Sequence, residues 1–424
     1  MLQAGNTWNE DAFVLRQVKF PHGDCPSCKK FPSQSEKNEY CTFCELDKNI
    51  GRQIAIGAKY LVCYAEPVTT RPFSDVTVTV LNRYVTVLTD QREIRGQPEL
   101  VLQLGGKFEP APAYPVLWRA PAPYVVKEMD FTKIAESGNG RALLGYFKAD
   151  ADHLGKIFEW GLREIKRGDT THDFDIPARF SMLSKQLDRF FGAWLSRYLR
   201  TTKEYQNTYT VFAGGDDVFL VGHWQTMVDL ANDLRLKFQK FVSEHEEITL
   251  SAGIALVKPR VPSGLASKQA EEQLKKAKNT PSLERQAEPD EADRKGRAQI
   301  ALLGDVIEWD VLTRLLKEKE EELLGDDYSR PNSALLYHLI EYARMWQQFR
   351  KGDTDGLRFQ PLLAYNVRRN VNSYKQPILK KWADRLVNLV FTEEKTITTL
   401  NHLGLITTLT IFEQHQRKEE GVYE

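Results

Sequence analysis

Residues 209–221 constrain the fold more than any other part of this sequence, because two strand-like runs flank a glycine-rich acidic turn. Tyr209–Phe212 and Val218–Val221 are rich in aromatic and β-branched residues, and Gly214-Gly215-Asp216-Asp217 stands between them. Two glycines supply the positive φ that a tight hairpin turn requires. The segment predicts a β-hairpin with adjacent carboxylates at its turn, although an ordinary hairpin could carry the same four residues.

The surrounding segments alternate between strands and helices. Leu143–Ala149 and Ile248–Val257 have the apolar runs of buried strands. Apolar residues at helical spacing predict helices over roughly 154–165, 178–199, 227–241 and 271–278. With the extra helix set aside, the order is βαββαβ, which indicates a ferredoxin-like domain within an α+β protein.

A second acidic segment, with Asp150 and Asp152, follows the first strand where a helix begins near His153. In a βαββαβ sheet this strand neighbours the hairpin, so we expect Asp150 to lie beside Asp216 and Asp217. Carboxylates about 4 Å apart repel by ~1–4 kcal/mol, and a bound Mg²⁺ or Mn²⁺ removes that cost. The helix start would offer backbone N–H groups to a phosphate chain. A simple helix cap is the alternative explanation of the Asp-x-Asp pattern.

Four of the five cysteines form two Cys-x-x-Cys pairs separated by twelve residues. Each pair places two sulfurs on one turn, and two such turns make a tetrahedral zinc site. Iron–sulfur or redox pairs are the alternatives. Four thiolates leave no open position, so we expect a structural zinc ion whose binding, worth ~10–16 kcal/mol in finger peptides, folds the module. The predicted ligands are Cys25, Cys28, Cys41 and Cys44.

The whole chain divides into four predicted domains. These are a zinc module at 1–58, a β-rich region at 59–135, the ferredoxin-like domain at 136–285 and a helical domain at 286–424. Residues 110–123 are predicted to form a connecting loop and the charged residues 279–298 a mobile surface loop. Helices are expected at 310–324, 333–350, 374–391 and 393–416. The aromatic and basic residues of the tail fit a helical core with a basic outer face, and also RNA contact.

Composition limits the classes of partner. Lysine plus arginine and aspartate plus glutamate both number 58, a formal net charge of zero, so nucleic-acid contact must come from local patches or partner subunits. The N-terminal residues do not resemble a signal peptide, and no stretch approaches the ~18 apolar residues of a membrane span. We therefore expect a cytoplasmic protein without a membrane partner.

Three motifs, in order, carry a family resemblance. FKADADHLGKIF at 147–158, FAGGDDVFLVG at 212–222 and LSAGIALV at 250–257 resemble the second palm domain of the large subunit of type III CRISPR effector complexes. That family shares its palm fold with the GGDEF diguanylate cyclases and with adenylyl cyclases. The cysteine module and the helical tail after Leu303–Trp309 are similar to the family's zinc-bearing and C-terminal helical domains, so the resemblance covers nearly the whole chain.

The resemblance implies ATP as substrate and 3′–5′ cyclic oligoadenylate as product. It implies that Asp150, Asp216 and Asp217 hold two Mg²⁺ or Mn²⁺ ions that activate a 3′-hydroxyl and neutralise charge on the phosphates. Expected nucleotide contacts are the backbone of Ala151, Asp152, His153 and Leu154, the turn residues Gly214 and Gly215, Ser251 against adenine, and Lys276 or Lys278 against phosphate. Ala151 and His153 depart from the valine and asparagine usual in the family, and His153 is expected to act as a local cap or surface residue.

The family normally carries an HD nuclease domain and a first palm domain, whereas this chain begins essentially at the zinc module. We therefore expect half of a split subunit, or a truncated piece, whose palm needs a second palm from another chain. The expected partners are that chain, other subunits of the effector complex, guide RNA and target RNA. Two alternatives stay open: a non-catalytic ATP-binding scaffold of the same complex, and a free-standing GGDEF-type cyclase that uses GTP.

Overall fold

The computed structural model describes residues 20–415 apart from 36–38, 56, 68–75, 109, 112, 120–128, 158–163, 168–169, 174–176, 287–295, 325–329 and 389–393. The chain divides into two compact units, residues 1–120 and 121–424. The four predicted domain boundaries stay predictions. Among the described helices, none combines the length and the apolar composition needed to cross a membrane.

The first unit contains the cysteine pairs, helix α1 (Thr42–Ala55) and a five-stranded sheet of order β2-β3-β1-β4-β5. Buried and half-buried residues alternate along β1 and β4, as expected for a sheet that buries one face. The strands are Tyr60–Tyr64 (β1), Thr77–Val80 (β2), Arg83–Leu88 (β3), Leu100–Leu104 (β4) and Val116–Arg119 (β5).

Strand β5 corrects one prediction, because it lies within residues 110–123, where a loop is expected. Its pairing is parallel to β4, with Val116 opposite Val101. A parallel partner distant in sequence leaves no hairpin pattern, and the flanking prolines obscure a strand of four residues.

The second unit is built on a six-stranded sheet of order β13-β12-β11-β6-β10-β9, beside a separate β7-β8 hairpin. Its central part, β11-β6-β10-β9, has the strand order of a ferredoxin-like βαββαβ domain, which confirms the predicted α+β fold. The strands are Leu144–Ala151 (β6), Glu164–Arg167 (β7), Thr170–Asp173 (β8), Tyr209–Gly214 (β9), Asp217–His223 (β10), Leu250–Val257 (β11), Gln299–Leu302 (β12) and Asp305–Glu308 (β13).

Helices cover both faces of this sheet and form the C-terminal part of the unit. A π-helical segment, Arg189–Trp194, joins α4 and α5 into one continuous helix, as predicted for 178–199. The helices are Phe131–Glu136 (α2), Leu154–Lys156 (α3), Pro177–Asp188 (α4), Leu195–Thr201 (α5), Trp224–Phe241 (α6), Ser263–Asn279 (α7), Leu283–Gln286 (α8), Trp309–Glu318 (α9), Ser333–Arg350 (α10), Phe359–Asn370 (α11), Pro377–Asn388 (α12), Glu394–Asn401 (α13) and Leu403–Gln414 (α14).

Strand β6 is buried on both faces, which explains its continuous apolar run. Phe147 faces the core that contains α6 and the C-terminal helices, whereas Tyr146 faces α2 and α7. Helix α7 lies close against β11 at Gly253, where a β-carbon would be only 2.2 Å from the backbone nitrogen of Leu274. This close packing holds the end of α7 beside the ends of β6 and β10.

Several other predictions about local structure are wrong. The helix expected to reach Ile165 is replaced there by strand β7, and its predicted positions 158 and 162 lie outside the described residues. The expected surface loop at 279–298 contains α8 and the fully buried Ser282, while 287–295 lie outside the described residues. Strands β12 and β13 occupy a region expected to be helical, because their apolar run fits either structure.

In the C-terminal helices the predicted elements are mostly confirmed, with two differences. Helix α11 was not predicted, and the long helix expected over 393–416 is interrupted at His402. His402 is fully buried and lies between Asp305 and Glu284, so tertiary ion pairs replace the regular helical pattern at this position.

Candidate functional site

Asp150, Asp216 and Asp217 lie at one edge of the second unit's sheet. Strands β6 and β10 pair antiparallel, with Asp217 directly opposite Asp150. Asp216 stands in the adjoining turn, and its carbonyl oxygen accepts a hydrogen bond of 3.0 Å from the backbone of Ala151. The expected neighbouring placement of the three aspartates is confirmed, while their role stays a prediction.

The hairpin depends on its second glycine. Gly214 pairs with Asp217, so Gly215 and Asp216 alone form the turn. Gly215 has φ of +64°, the left-handed conformation that favours glycine at the first position of a two-residue hairpin. The turn therefore brings Asp216 next to Asp217 without lengthening either strand.

The electrostatics of this edge favour binding of a cation. Burial raises the pKa of Asp150, and the charges of Asp216 and Asp152 add to the rise against the opposing effect of Lys278. Burial, then the charges of Asp216 and Asp150, also raise the pKa of Asp217. A divalent ion bound here would favour the charged carboxylates and offset both the burial and the mutual repulsion.

Two lysines lie near the aspartates. The amine of Lys278, at the end of α7, forms an ion pair with Asp150. The amine of Lys148 is 3.1 Å from a carboxylate oxygen of Glu271 and 4.8 Å from the centre of the Phe219 ring. Lys276 instead donates to the carbonyl oxygen of Gly304, so of the two lysines expected to contact phosphate, Lys278 is the one at the acidic edge.

The side chains of Asp152 and Ser251 form a buried hydrogen-bonded pair. Both are fully buried, and the hydroxyl of Ser251 donates to the two carboxylate oxygens of Asp152 at 2.9 and 2.8 Å. Asp152 also accepts from the hydroxyl of Thr249 and from the backbone nitrogen of Ala298. Ser251 thus has no exposed surface and helps to anchor the loop after β6, while its expected contact with adenine stays a prediction.

The loop after β6 turns sharply at His153, which has φ of +62°. Leu154, which is also buried, then begins helix α3. Burial, then the charge of Arg297, lowers the pKa of His153, which favours the neutral imidazole. Ala151 and Leu154 are buried and offer no side-chain surface, and the backbone N–H of Ala151 is already bonded to Asp216, so His153 and Leu154 are the positions whose backbone N–H groups could face a nucleotide.

Arg297 is a residue of this site that the sequence did not reveal. It has φ of +92°, and Ala298 after it has φ of +52°. Hydrogen bonds hold this unusual backbone in place, from Arg297 to the carbonyl of Ala277 and from Ala298 to Asp152. Two successive left-handed residues other than glycine are costly and are typical of functional sites. The indication available in the sequence was Gly296, which immediately precedes these two residues and could mark an unusual backbone conformation.

The four cysteines, by contrast, already have the arrangement of a metal site. Their sulfurs all lie within 4.8 Å of one another, and those of Cys28 and Cys41 are 3.8 Å apart. Tetrahedral Zn–S bonds of about 2.3 Å require sulfurs about 3.8 Å apart. Burial opposes ionisation of Cys25, but hydrogen bonds from backbone groups, led by Cys41, lower its pKa to about 6. The cluster can therefore hold a metal ion.

Among the described residues, the cysteines are the one group of three or more potential ligands gathered this closely. The three aspartates share an edge without meeting that condition. Asp150 is ion-paired with Lys278. The oxygen donors of the three aspartates are the type that Mg²⁺ and Mn²⁺ prefer, and side-chain rotation about fixed backbone positions can bring them together.

Comparison with known proteins identifies relatives of the second unit. Residues 143–287 match the model of the Cas10/Cmr2 second palm domain. The chain is 35% identical over 180 residues to a CRISPR system single-strand-specific deoxyribonuclease Cas10/Csm1 (subtype III-A) of Methanocaldococcus jannaschii, covering 38% of this chain and 21% of that protein. It is 26% identical over 233 residues to the Mycobacterium tuberculosis protein of the same name, covering 51% and 26%.

Solved structures show that the fold extends over most of the chain. Csm1 of Thermococcus onnurineus matches with a TM-score of 0.61 at 17% identity, covering 92% of this chain and 55% of that one. Csm1 in a Csm1–Csm4 cassette with cA4 matches with a TM-score of 0.56 at 16% identity, covering 85% and 49%. The chain thus spans about half of these solved relatives, and the resemblance expected from its motifs is confirmed.

Proposed function

Since residues 143–287 match the Cas10/Cmr2 second palm domain, we propose that this chain belongs to a type III CRISPR large subunit that converts ATP to cyclic oligoadenylate. The observation that carries the proposal is the cross-strand pair of Asp150 and Asp217, with Asp216 in the adjoining turn. The three carboxylates repel one another, and the ion pair of Asp150 with Lys278 offsets only part of that repulsion, which a bound cation would remove.

In this proposal Asp150, Asp216 and Asp217 hold one or two Mg²⁺ or Mn²⁺ ions. Such ions make a 3′-hydroxyl more acidic and neutralise charge on the phosphates. The hydroxyl oxygen of one ATP forms a bond to the α-phosphate of the next, and the bond to pyrophosphate breaks. Ring closure repeats this exchange within the chain of adenylates, and each step releases one proton and one pyrophosphate.

The basic residues support the same chemistry. Lys278 is paired with Asp150, and a cation that takes over this carboxylate would free its amine for a phosphate oxygen. Arg297 is held in a strained backbone near His153, where its charge acts on the loop expected to bind phosphate. In the proposed nucleotide site, the segment Ala151–Leu154 contributes the backbone groups that are not already bonded to Asp216 and Thr249, and the hairpin glycines complete the site.

In the same proposal the nucleotide site is composite, and a second palm domain supplies its other half. The solved relatives include Csm1 assembled with Csm4, so we propose a Csm4-like subunit, a chain with a first palm domain, guide RNA and target RNA as partners. The cysteine cluster, in the same proposal, holds a structural zinc ion, because four buried or half-buried thiolates leave no open coordination position.

The test uses the complex assembled with its partner palm, guide RNA and target RNA, supplied with radiolabelled ATP and Mg²⁺. Cyclic oligoadenylate that depends on target RNA supports the proposal. ATP binding without any product, in a complex whose partner palm is intact, would instead establish a non-catalytic scaffold. Turnover of GTP by this chain alone would establish a free-standing cyclase.

A further inference from the structure

A cavity of about 320 Å³ lies in the second unit, between the end of α7, the β12–β13 turn and the C-terminal helices. Lys276, which faces this cavity, donates to the carbonyl of Gly304, whereas Lys278 pairs with Asp150. Lys276 and Lys278 therefore contact different parts of the unit, and the cavity is separate from the acidic edge. Its volume is at the lower end of the range typical of small-ligand sites.

The charges that line the cavity are mainly positive. Lys276, Arg350 and Lys351 are all exposed at its surface. Among its described lining residues, Asp305 is the one carboxylate, and its oxygen lies 3.5 Å from the imidazole of buried His402. His402 lies between Asp305 and Glu284 and offsets about one of these two carboxylates, so the three other cations still leave an excess of positive charge that suits a phosphate group.

One of these cations is already positioned. The side-chain oxygen of Asn401 accepts a 3.3 Å hydrogen bond from Arg350 and one of 3.0 Å from the indole of Trp346. Trp346 is itself almost fully buried. A guanidinium held by a buried amide loses less freedom on binding than a free side chain does, which favours recognition.

The remaining wall is apolar. Pro281 and Leu283 are partly exposed and line it together with the almost fully buried Val306 and Trp346, and the exposed part of this wall offers an apolar surface against which a planar ring can pack. A purely inorganic anion would leave this surface uncovered. We infer that the cavity binds a nucleoside monophosphate, with its phosphate between Arg350, Lys276 and Lys351 and its base against the apolar wall.

The test measures binding of AMP to the full chain by calorimetry, in buffer without added Mg²⁺ or Mn²⁺ so that neither ion bridges AMP to the aspartates. We expect saturable binding below about 1 mM. Arg350→Gln and Lys276→Gln should each weaken it about tenfold, the effect of one lost charge-assisted contact. Arg344→Gln, on the same helix α10 but outside the cavity, is the matched control and should bind as the original chain does.

Two further measurements distinguish AMP binding in this cavity from binding at the acidic edge and from binding of the phosphate alone. The double variant Asp216→Ala/Asp217→Ala should retain AMP binding, because the acidic edge takes no part. Ribose 5-phosphate should bind at least about tenfold more weakly than AMP, since it lacks the base. Equal binding of the two ligands, equal affinity of Arg350→Gln and Arg344→Gln with matching melting temperatures, or no saturable AMP binding would each overturn the inference.

Discussion

Asp150 and Asp217 lie directly opposite each other on the antiparallel strands β6 and β10. At this edge of the sheet β6 ends and β10 begins, and α7 lies beside them. Direct cross-strand neighbours interact, and like charges in such pairs destabilise a sheet. Asp216 in the turn and Lys278 on α7 face the same edge. Changing any of these four charges should therefore alter both the stability of the sheet and its affinity for a cation.

Asp217→Asn should stabilise the chain in the absence of metal. Because the folded pKa of Asp217 is raised, its charge destabilises the fold at neutral pH, and this effect fades as the pH falls toward about 4. After solvent screening we expect a gain of about 1 kcal/mol in the free energy of unfolding at pH 7.5, measured by urea denaturation.

The same variant should lose the rise in melting temperature that Mn²⁺ gives the original chain, because one ligand is missing. Asp47→Asn, which removes an exposed carboxylate from α1, should change neither quantity. If Asp217→Asn destabilises the metal-free protein and keeps its response to Mn²⁺, the aspartates are not a cation site.

Lys278→Met should have opposite effects on two properties of the site. Without its amine, Asp150 no longer has a competing partner, so Mn²⁺ measured by electron paramagnetic resonance should bind more tightly. ATP turnover by the assembled complex should fall, because a phosphate contact is lost. Lys268→Met, on an exposed position of the same helix, serves as control. Weaker Mn²⁺ binding by Lys278→Met would contradict the account.

Cys25→Ser should remove the metal from the first unit. Zinc content, measured by mass spectrometry, should fall from about one ion per chain to near zero, and residues 21–55 should become sensitive to protease. Cys63→Ser, in strand β1 and outside the cluster, should retain its zinc. A zinc-free Cys25→Ser chain with the original protease resistance would show that the cluster does not need a metal to fold.

His402 should make stability depend on pH. Burial opposes its charge, but hydrogen bonds to Asp305 and Glu284 outweigh burial and raise its pKa to about 9. The stabilisation, about 3 kcal/mol, is therefore fully present below the unfolded pKa of about 6.5 and is lost as the pH rises through 9. His402→Gln should destabilise the fold more at pH 6.5 than at pH 10. An equal loss at both pH values in urea denaturation would exclude a charged His402.

The palm could be predicted from the sequence because its signals are local. The hairpin glycines, the apolar run of β6 and the helical spacing of α6 each determine an element, and their order then places Asp150 beside Asp217. What could not be predicted depends on distant partners. The parallel pairing of β12 with β11 and of β5 with β4 leaves no pattern within the strands themselves.

Which side chains reach the site could not be predicted, because this depends on the rotation of α7 about its axis and on hydrogen bonds between side chains. Lys276 and Lys278 are equally plausible phosphate contacts in the sequence, and only the rotation of the helix directs Lys278 to Asp150. Ser251 lies opposite Asp150 in the sheet, yet its hydroxyl donates a hydrogen bond to Asp152. Arg297 lies in the charged segment 279–298 that was expected to be a loop. Because that segment contains many charged residues, nothing in its composition distinguished Arg297 from the others.

The most direct test of the central claim is ATP conversion by the assembled complex that carries Asp217→Asn, with target RNA and Mg²⁺ present. Loss of a ligand to the reacting ions should cost about 3 kcal/mol or more, so we predict at least a hundredfold less cyclic oligoadenylate while the complex assembles normally. Undiminished product from a fully assembled Asp217→Asn complex would contradict the account.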